Sequence, residues 1–174
     1  GDAYALQLLS GVLDGGISAR LERDVVRKNQ AAAIGSSYNV LARGDTLLEI
    51  RAVPAAGQSL QALRTAILTV VYALRDELVS DDELKRVMAN VRAQAVYARD
   101  DLDDQAQQLG QLDALGLPLN WDDGVLAKLQ AITPKQLREV ARRYLQPERL
   151  ATLYLQLPGS PDKATGAQTQ GVTP

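Results

Sequence analysis

The stretch that decides the fold is AAAIGSSYNVLARGDTLLEIRAVPAAG, residues 31–57. Side chains alternate between two faces over Ala33–Leu41 and again over Leu47–Val53, which is the period of a half-buried strand. The tripeptide Arg-Gly-Asp at 43–45 lies between the two runs and is a turn signal. The stretch therefore predicts an antiparallel β-hairpin that turns one face toward a core.

Two helices are predicted before the hairpin. Residues 3–14 place apolar side chains on one face at helical spacing, and Gly15-Gly16 follows as a helix stop. Ser18 is positioned to cap a second helix that runs to about Asn29. We expect this helix to turn some residues inward (Ile17, Leu21 and Val25) and others outward (Arg20, Glu22, Arg23, Arg27 and Lys28).

Several helices are predicted after the hairpin. Residues 59–78 carry a broad apolar stripe, and shorter helical patterns cover 100–115 and 122–129. Ser80 and Glu83 form a capping box that opens a long helix with Leu84, Val87, Met88, Val91 and Ala95 inward. Thr133 and Gln136 form a second capping box, with Pro134 at the first helical position.

The last alternating run, Leu150–Leu157, predicts a third strand. Helices interleaved with a few strands predict an α+β fold, an antiparallel sheet with helices packed on one face. Three strands are few for so many helices, so we expect the sheet to lack its first strand, supplied by an element upstream of Gly1 or by a neighbouring chain. Residues 1–158 are predicted to form one domain and residues 159–174, rich in Gly, Ser, Pro, Thr and Gln, a flexible tail.

The composition limits the chemistry of the chain. Its 174 residues include no His and no Cys, which excludes a conventional zinc site and any nucleophile that needs a His partner. A net charge of -2 argues against a nucleic-acid partner, and the longest apolar run, about residues 66–74, is too short for a membrane span. The chain opens on Gly1-Asp2 without a Met, as an excised fragment would.

The order of these elements resembles the insulinase/pitrilysin family of zinc metallopeptidases, the inverted zincins, which includes the mitochondrial processing peptidases. The likeness covers about residues 2–158 and lies in the later, non-metal-binding domain. Four family motifs carry it: Asp-x-x-Ala-Leu on the first helix, a glycine pair before Ser-x-Arg-Leu, a Ser-x-x-Glu-Leu helix start, and Thr-Pro-x-x-Leu leading to Tyr-Leu-x-Pro. The matching positions are Asp2, Ala5, Leu6; Gly15, Gly16, Ser18, Arg20, Leu21; Ser80, Glu83, Leu84; and Thr133, Pro134, Leu137, Tyr144, Leu145, Pro147.

The resemblance implies where the chemistry lies. In the family, the H-x-x-E-H motif holds zinc and activates water in the preceding domain. The resemblance therefore places the zinc in a missing upstream domain. It implies that this chain has no cofactor, no metal and no catalytic residue. It also implies the missing first strand. Halves that complete a partner's site carry an Arg on the second helix and a Tyr seven residues later. Alignment on Arg20-Leu21 puts Val26 at the Arg position and Ala33 at the Tyr position. Arg27 and Tyr38 lie nearby, but their spacing does not match the family pattern.

Other residues admit a functional and a structural interpretation. The cluster Asp100, Asp101, Asp103 and Asp104 could hold a metal or form the start of a solvated helix. Asp14-Gly15-Gly16 could cradle a phosphate or form a turn between helices. The basic face with Arg20, Arg23, Arg27 and Lys28 could bind an anion or form salt bridges with Glu22 and Asp24. Tyr38 and Tyr154 could contact substrate or pack against the sheet.

The resemblance implies a non-catalytic C-terminal domain of a bacterial zinc metalloendopeptidase that hydrolyses peptides in an enclosed chamber. The chain would form chamber wall, contact the upstream metal domain and a homologous partner subunit, and face the peptide substrate. Two alternatives are a domain of a catalytically inactive scaffold or partner subunit of the same family, and an unrelated interaction module. The expected compartment is the periplasm, with the cytoplasm as the alternative.

Overall fold

A computed structural model describes residues 1–100 and 102–155 and omits the side chains of 96–100, 104, 122 and 123. The hairpin at its centre consists of β1 (Ala31–Tyr38) and β2 (Leu48–Pro54), which pair antiparallel. The register joins Ser36 to Ile50 and includes an irregularity between Ala31 and Ala33. The hairpin is confirmed, although β1 begins two residues before the predicted run and ends three residues earlier.

The segment before β1 differs from the predicted second helix. The first helix, α1 (Asp2–Leu13), has Asp14 as its C-cap, and Gly16 takes a positive φ of 106° that suits glycine. The next helical segment is a π-helix, Glu22–Val26, in which Arg27 N donates to Glu22 O at 3.0 Å. The wide turn still leaves Leu21 and Val25 fully buried, so both inward predictions are confirmed.

Capping boxes mark the starts of two of the helices after the hairpin. These helices are α2 (Leu60–Asp76), α3 (Asp81–Asp100), α4 (Leu102–Ala114), α5 (Val125–Gln130) and α6 (Pro134–Tyr144), with 3-10 turns at Trp121–Gly124 and Pro147–Arg149. Both predicted capping boxes form. Ser80 Oγ accepts from the Glu83 amide at 3.2 Å, and Thr133 Oγ1 accepts from the Gln136 amide at 3.3 Å.

The core is aliphatic and centres on α1. Leu8, Leu9, Val12 and Leu13 of α1 are fully buried, and Leu74 of α2 and Leu137 of α6 join them in one cluster. Helix α1 packs on β1, α3 and α6, and α6 also packs on α2. The helices therefore cover one face of the hairpin while Glu49 and Arg51 of β2 stay exposed on the other, which confirms the α+β architecture.

Polar contacts join two later parts of the chain, α6 and α5, to α1. The Asp2 carboxylate accepts from Arg143 Nη1 at 2.6 Å and from the Tyr144 hydroxyl at 3.0 Å, and these bonds lower the Asp2 pKa. Lys128 of α5 lies over the ring of Tyr4 at 5.8 Å and over the ring of Trp121 at 5.3 Å. These cation–π contacts join α1, α5 and the 3-10 turn before α5.

Four predictions about exposure are wrong. Ile17 is 77% exposed because it lies in a turn rather than on a helix, and Arg20 is only 6% exposed because it has a buried partner. Leu78, the last residue of the apolar stripe predicted over 59–78, follows the end of α2 and is 44% exposed, and Ala95 of α3 is also exposed. The apolar spacing of α2 and α3 thus continues to residues that the described part of the chain leaves exposed.

The predicted strand Leu150–Leu157 is wrong for residues 150–155, which pair with no strand in the described part of the chain. Residues 156 and 157, and the tail predicted at 159–174, lie outside the described residues. Among the described helices, none combines the length and apolarity needed to cross a membrane.

Candidate functional site

The most buried ionic group in the described chain is the Arg20–Glu83 pair. Arg20 lies one residue before Leu21, the N-cap of the π-helix, and Glu83 lies in the first turn of α3. Arg20 Nε donates to Glu83 Oε1 at 2.8 Å and Nη2 donates to Oε2 at 3.0 Å. This bidentate geometry is the strong form of an arginine–carboxylate contact, and it links two segments that are 63 residues apart.

Glu83 has a second role in the same cluster. Its Oε2 also accepts from the Ser80 amide at 2.9 Å, which completes the capping box of α3. The Arg20 hydrogen bond, and secondarily those from Ser80, lower the Glu83 pKa from 4.5 to about 2 against the opposing effect of burial. Glu83 is therefore ionised throughout the neutral range, and its oxygens are engaged in structural contacts rather than poised for proton transfer.

A groove lies beside this pair, between the π-helix and α2, with a volume of 770 Å³. Its polar lining includes Arg20, Arg23, Lys28, Gln61, Thr65 and Glu77. Arg23 Nη2 contacts Asp24 Oδ2 at 2.6 Å, and Lys28 Nζ lies 3.6 Å from Asp24 Oδ1. The hydrogen bond from Arg23 lowers the Asp24 pKa. These exposed cations thus form the salt-bridged face that the interleaved acidic residues indicate.

The resemblance puts Val26 and Ala33 at the two positions where partner halves carry Arg and Tyr, and these two residues differ in their surroundings. Val26 is half-buried and packs against the core, whereas Ala33 is exposed on β1 opposite Val53. Arg27 Nη2 donates to Ile17 O at 2.5 Å, which holds the turn before the π-helix. Tyr38 packs against the core, and burial is the main factor that raises its pKa.

The Asp14-Gly15-Gly16 segment forms a turn between helical segments. Asp14 Oδ2 accepts from the Ser36 amide of β1 at 2.9 Å, so its carboxylate is tied to the hairpin. Gly15 has no room for a side chain, because a Cβ there would lie 2.3 Å from Gly11 O. These contacts support the structural interpretation of the segment.

The acidic cluster is described only at Asp103, which is exposed; the side chains of Asp100, Asp101 and Asp104 lie outside the described residues. Over the part of the chain that is described, no group of three or more His, Cys, Asp or Glu side chains is arranged to hold a metal ion.

The hairpin presents one open surface, which we call the outer hairpin face. It consists of Ala33, Gly35 and Ser37 of β1 and, in register across from them, Val53, Arg51 and Glu49 of β2. Arg51 Nη2 contacts Glu49 Oε2 at 2.7 Å, with the Arg51 side chain 85% exposed. The β1 half of this face carries small residues, of which Ala33 and Ser37 are exposed and Gly35 is half-buried beside the Asp14 carboxylate.

Together the fold and the ionic cluster define a helix-covered α+β domain whose buried charges hold elements in place. Residues 1–91 match the family model described as the peptidase M16 inactive domain, which is more than half of the 174-residue chain. The chain therefore belongs to this family, and the resemblance to zinc metallopeptidases found in the sequence is confirmed. A search of curated proteins gave no match.

Solved structures support the fold. A candidate zinc protease from Bordetella pertussis Tohama I superposes with a TM-score of 0.72 at 15% identity, over 85% of this chain and 81% of that one. A protease from Helicobacter pylori gives 0.77 at 21% identity, over 85% of this chain and 36% of that one. A peptidase M16 inactive domain from Pseudomonas fluorescens gives 0.69 at 20% identity, over 82% and 33%. The chain thus spans about a third of the last two structures.

Proposed function

We propose that this chain is the non-catalytic C-terminal domain of a zinc-dependent metalloendopeptidase and forms part of the wall of its peptide chamber. The observation that carries the proposal is the match of residues 1–91 to an inactive peptidase domain, in a chain that contains no His. A domain of this kind shapes and closes a site whose zinc and general base belong to another domain of the same protein.

The outer hairpin face is the surface we assign to the chamber. Helices cover the opposite face of the hairpin, so this is the side on which the sheet is open to a substrate. Its small β1 side chains allow a peptide backbone to approach closely, and Arg51 with Glu49 provides the charged groups on the β2 half. Substrate contacts here would tune peptide preference without taking part in bond cleavage.

The test uses the full-length protein that contains this chain. Arg51→Glu reverses a charge on the outer hairpin face, where the exposed side chain contributes little to stability. We expect a several-fold change in kcat/KM for charged peptides, opposite in sign for acidic and basic peptides, with unchanged zinc content. Arg92→Glu makes the same charge change at an exposed position of α3 and is expected to leave the preference unchanged.

Two results would overturn the proposal. Equal effects of Arg51→Glu and Arg92→Glu would mean that the outer hairpin face is not in the chamber. Stoichiometric zinc together with peptide hydrolysis by the isolated 174-residue chain would mean that the chain is not a non-catalytic domain.

The alternative within the family is an inactive scaffold or partner subunit. The residues at Val26 and Ala33 favour the zinc-bearing type, because neither can supply the Arg–Tyr pair that the resemblance assigns to partner halves. An intact H-x-x-E-H motif upstream supports the peptidase, and its absence supports the scaffold. Contacts with the metal domain and with a homologous subunit, and a periplasmic location, belong to the same proposal and are checked by co-purification and cell fractionation.

A further inference from the structure

The connection between β1 and β2, residues 39–47, is bonded to the C-terminal end of α4. Arg43 Nη2 donates to Ala114 O at 3.0 Å, and Gln111 Nε2 donates to Leu41 O at 3.2 Å. Each of the two segments therefore supplies one donor and one acceptor to the other. We call this pair of hydrogen bonds the hairpin latch.

The Arg43 bond supplies a donor that the backbone of α4 lacks. Ala114 is the last residue of α4, and a helical carbonyl normally accepts from the amide four residues later. That residue is Pro118, which has no amide hydrogen. In the described part of the chain no other backbone amide donates to Ala114 O. The Arg43 guanidinium also places a positive charge at the negative end of the helix dipole.

Helix α4 has little apolar contact of its own to hold it on the domain. Leu112 is the one fully buried residue among the described side chains of α4, and it lies outside the core cluster around α1. Leu102 is 80% exposed and Leu109 is 46% exposed, whereas Gln105 and Gln108 are half-buried. A segment with few buried apolar contacts opens at a lower free energy than the core does.

We propose that the connection 39–47 and α4 form one unit that opens as a whole while the core around α1 stays folded. The hairpin latch couples the two segments, because opening either one leaves a carbonyl of the other without its donor. The coupling is reciprocal, so a change in one segment must alter the opening of the other. The latch thus sets how freely the turn end of the hairpin moves.

The test is amide hydrogen exchange of the 174-residue chain, measured by NMR. Arg43→Met removes one latch bond without changing the sequence of α4, and the amides of α4 should exchange about two- to tenfold faster. Arg142→Met is the matched control. It removes a guanidinium bond of 2.7 Å to Arg75 O, near the end of α2, and should leave exchange in α4 unchanged.

The reciprocal variant is Gln111→Glu, which keeps the shape of the side chain and removes its donor. Its readout lies in the other segment, at the Leu41 amide, which donates to Asn39 Oδ1 at 2.9 Å. This amide should exchange faster by a factor similar to that of α4 in Arg43→Met. Gln107→Glu makes the same charge change at an exposed position of α4 and should leave the Leu41 amide unchanged.

The amides of Leu8 and Leu9 in α1 report on the core and should keep their exchange rates in all four variants. Unchanged exchange in α4 of Arg43→Met, or at Leu41 of Gln111→Glu, would overturn the proposal, because the two segments would then open independently. Equal acceleration of the α1 amides would also overturn it, since the opening would be global. So would a control variant that matches its partner.

Discussion

Glu83→Gln tests whether the Arg20–Glu83 pair holds the π-helix segment against α3. The substitution removes the charge but keeps the capping box, since Gln serves the same capping role as Glu. It leaves Arg20, which is 6% exposed, with Glu77 as its remaining acidic neighbour at 3.9 Å. Because the Glu77 side chain is 71% exposed, it compensates only in part.

The expected loss of stability follows from the Glu83 pKa. A fall from 4.5 to about 2, at about 1.4 kcal/mol per pKa unit, sets an upper limit of about 3 kcal/mol. Glu83 retains 12% exposure, and screening by solvent and the residual Glu77 contact lower the expected cost to about 2 kcal/mol at pH 7.

The pH dependence has a defined sign. A carboxylate whose pKa is lowered in the folded state stabilises the protein above its ordinary pKa and loses that contribution as the pH falls through the folded pKa. The contribution of Glu83 is therefore complete above pH 4.5 and disappears toward pH of about 2. The difference between wild type and Glu83→Gln should shrink by about half by pH 3.

Urea denaturation followed by circular dichroism, between pH 7 and pH 3, measures both quantities. Glu139→Gln, at an exposed position of α6, is the matched control and should stay within about 0.5 kcal/mol of wild type. If Glu83→Gln were equally neutral at pH 7, or its difference from wild type did not change with pH, the pair would not be the contact that holds the two segments.

Two further substitutions test the packing and the capping. Gly11→Ala puts a Cβ 2.7 Å from Val87 Cγ1 and should destabilise by about 1–3 kcal/mol in urea denaturation, with Val87→Ala relieving part of the loss; Gly110→Ala, with open space around its Cβ, should not destabilise. Thr133→Ala removes the cap of α6 and should cost about 1 kcal/mol in free energy of unfolding, whereas Thr133→Ser should keep most of it. If Gly11→Ala left the free energy of unfolding unchanged, the close packing of Gly11 against Val87 would be contradicted; the same result for Thr133→Ala would contradict a stabilising role of the α6 cap.

Features encoded by neighbouring residues were predictable from the sequence. The capping boxes at Ser80 and Thr133 depend on residues three positions away, and both helices begin where these boxes place them. The hairpin likewise follows from alternation on both sides of the connection at 39–47, because its two strands are consecutive in the chain. Hydrogen bonds between residues that are close in the chain can therefore be predicted from the sequence.

The central ionic cluster could not be predicted in this way. Arg20 is a charged residue among other charged residues, which is typical of a solvent-exposed position. Its partner Glu83 lies 63 residues away, on α3. The only local signal was the capping role of Glu83, which fixes where that carboxylate lies but not which cation meets it. A buried pair of this kind depends on how α3 packs against the segment before the π-helix, which the spacing of charges along the chain does not encode.

The wrong strand prediction at the C-terminal end has a related cause. Side chains alternate over residues 150–155, but Thr152 and Tyr154 are the ones that hydrogen-bond to α2, whereas Leu153 and Leu155 are almost fully exposed. A strand additionally needs a backbone partner, and no pattern within the segment specifies one. Extended conformation and sheet membership are therefore separate properties here.

The contact of Lys128 with Tyr4 and Trp121 gives the chain a built-in optical probe. Trp121 is the single tryptophan of the sequence, so its fluorescence reports on one place, the docking of the α5 region onto α1. Circular dichroism, by contrast, averages over every helix. If emission and ellipticity change together during unfolding, the domain melts as one cooperative unit; an earlier change in emission means that the α5 region detaches first.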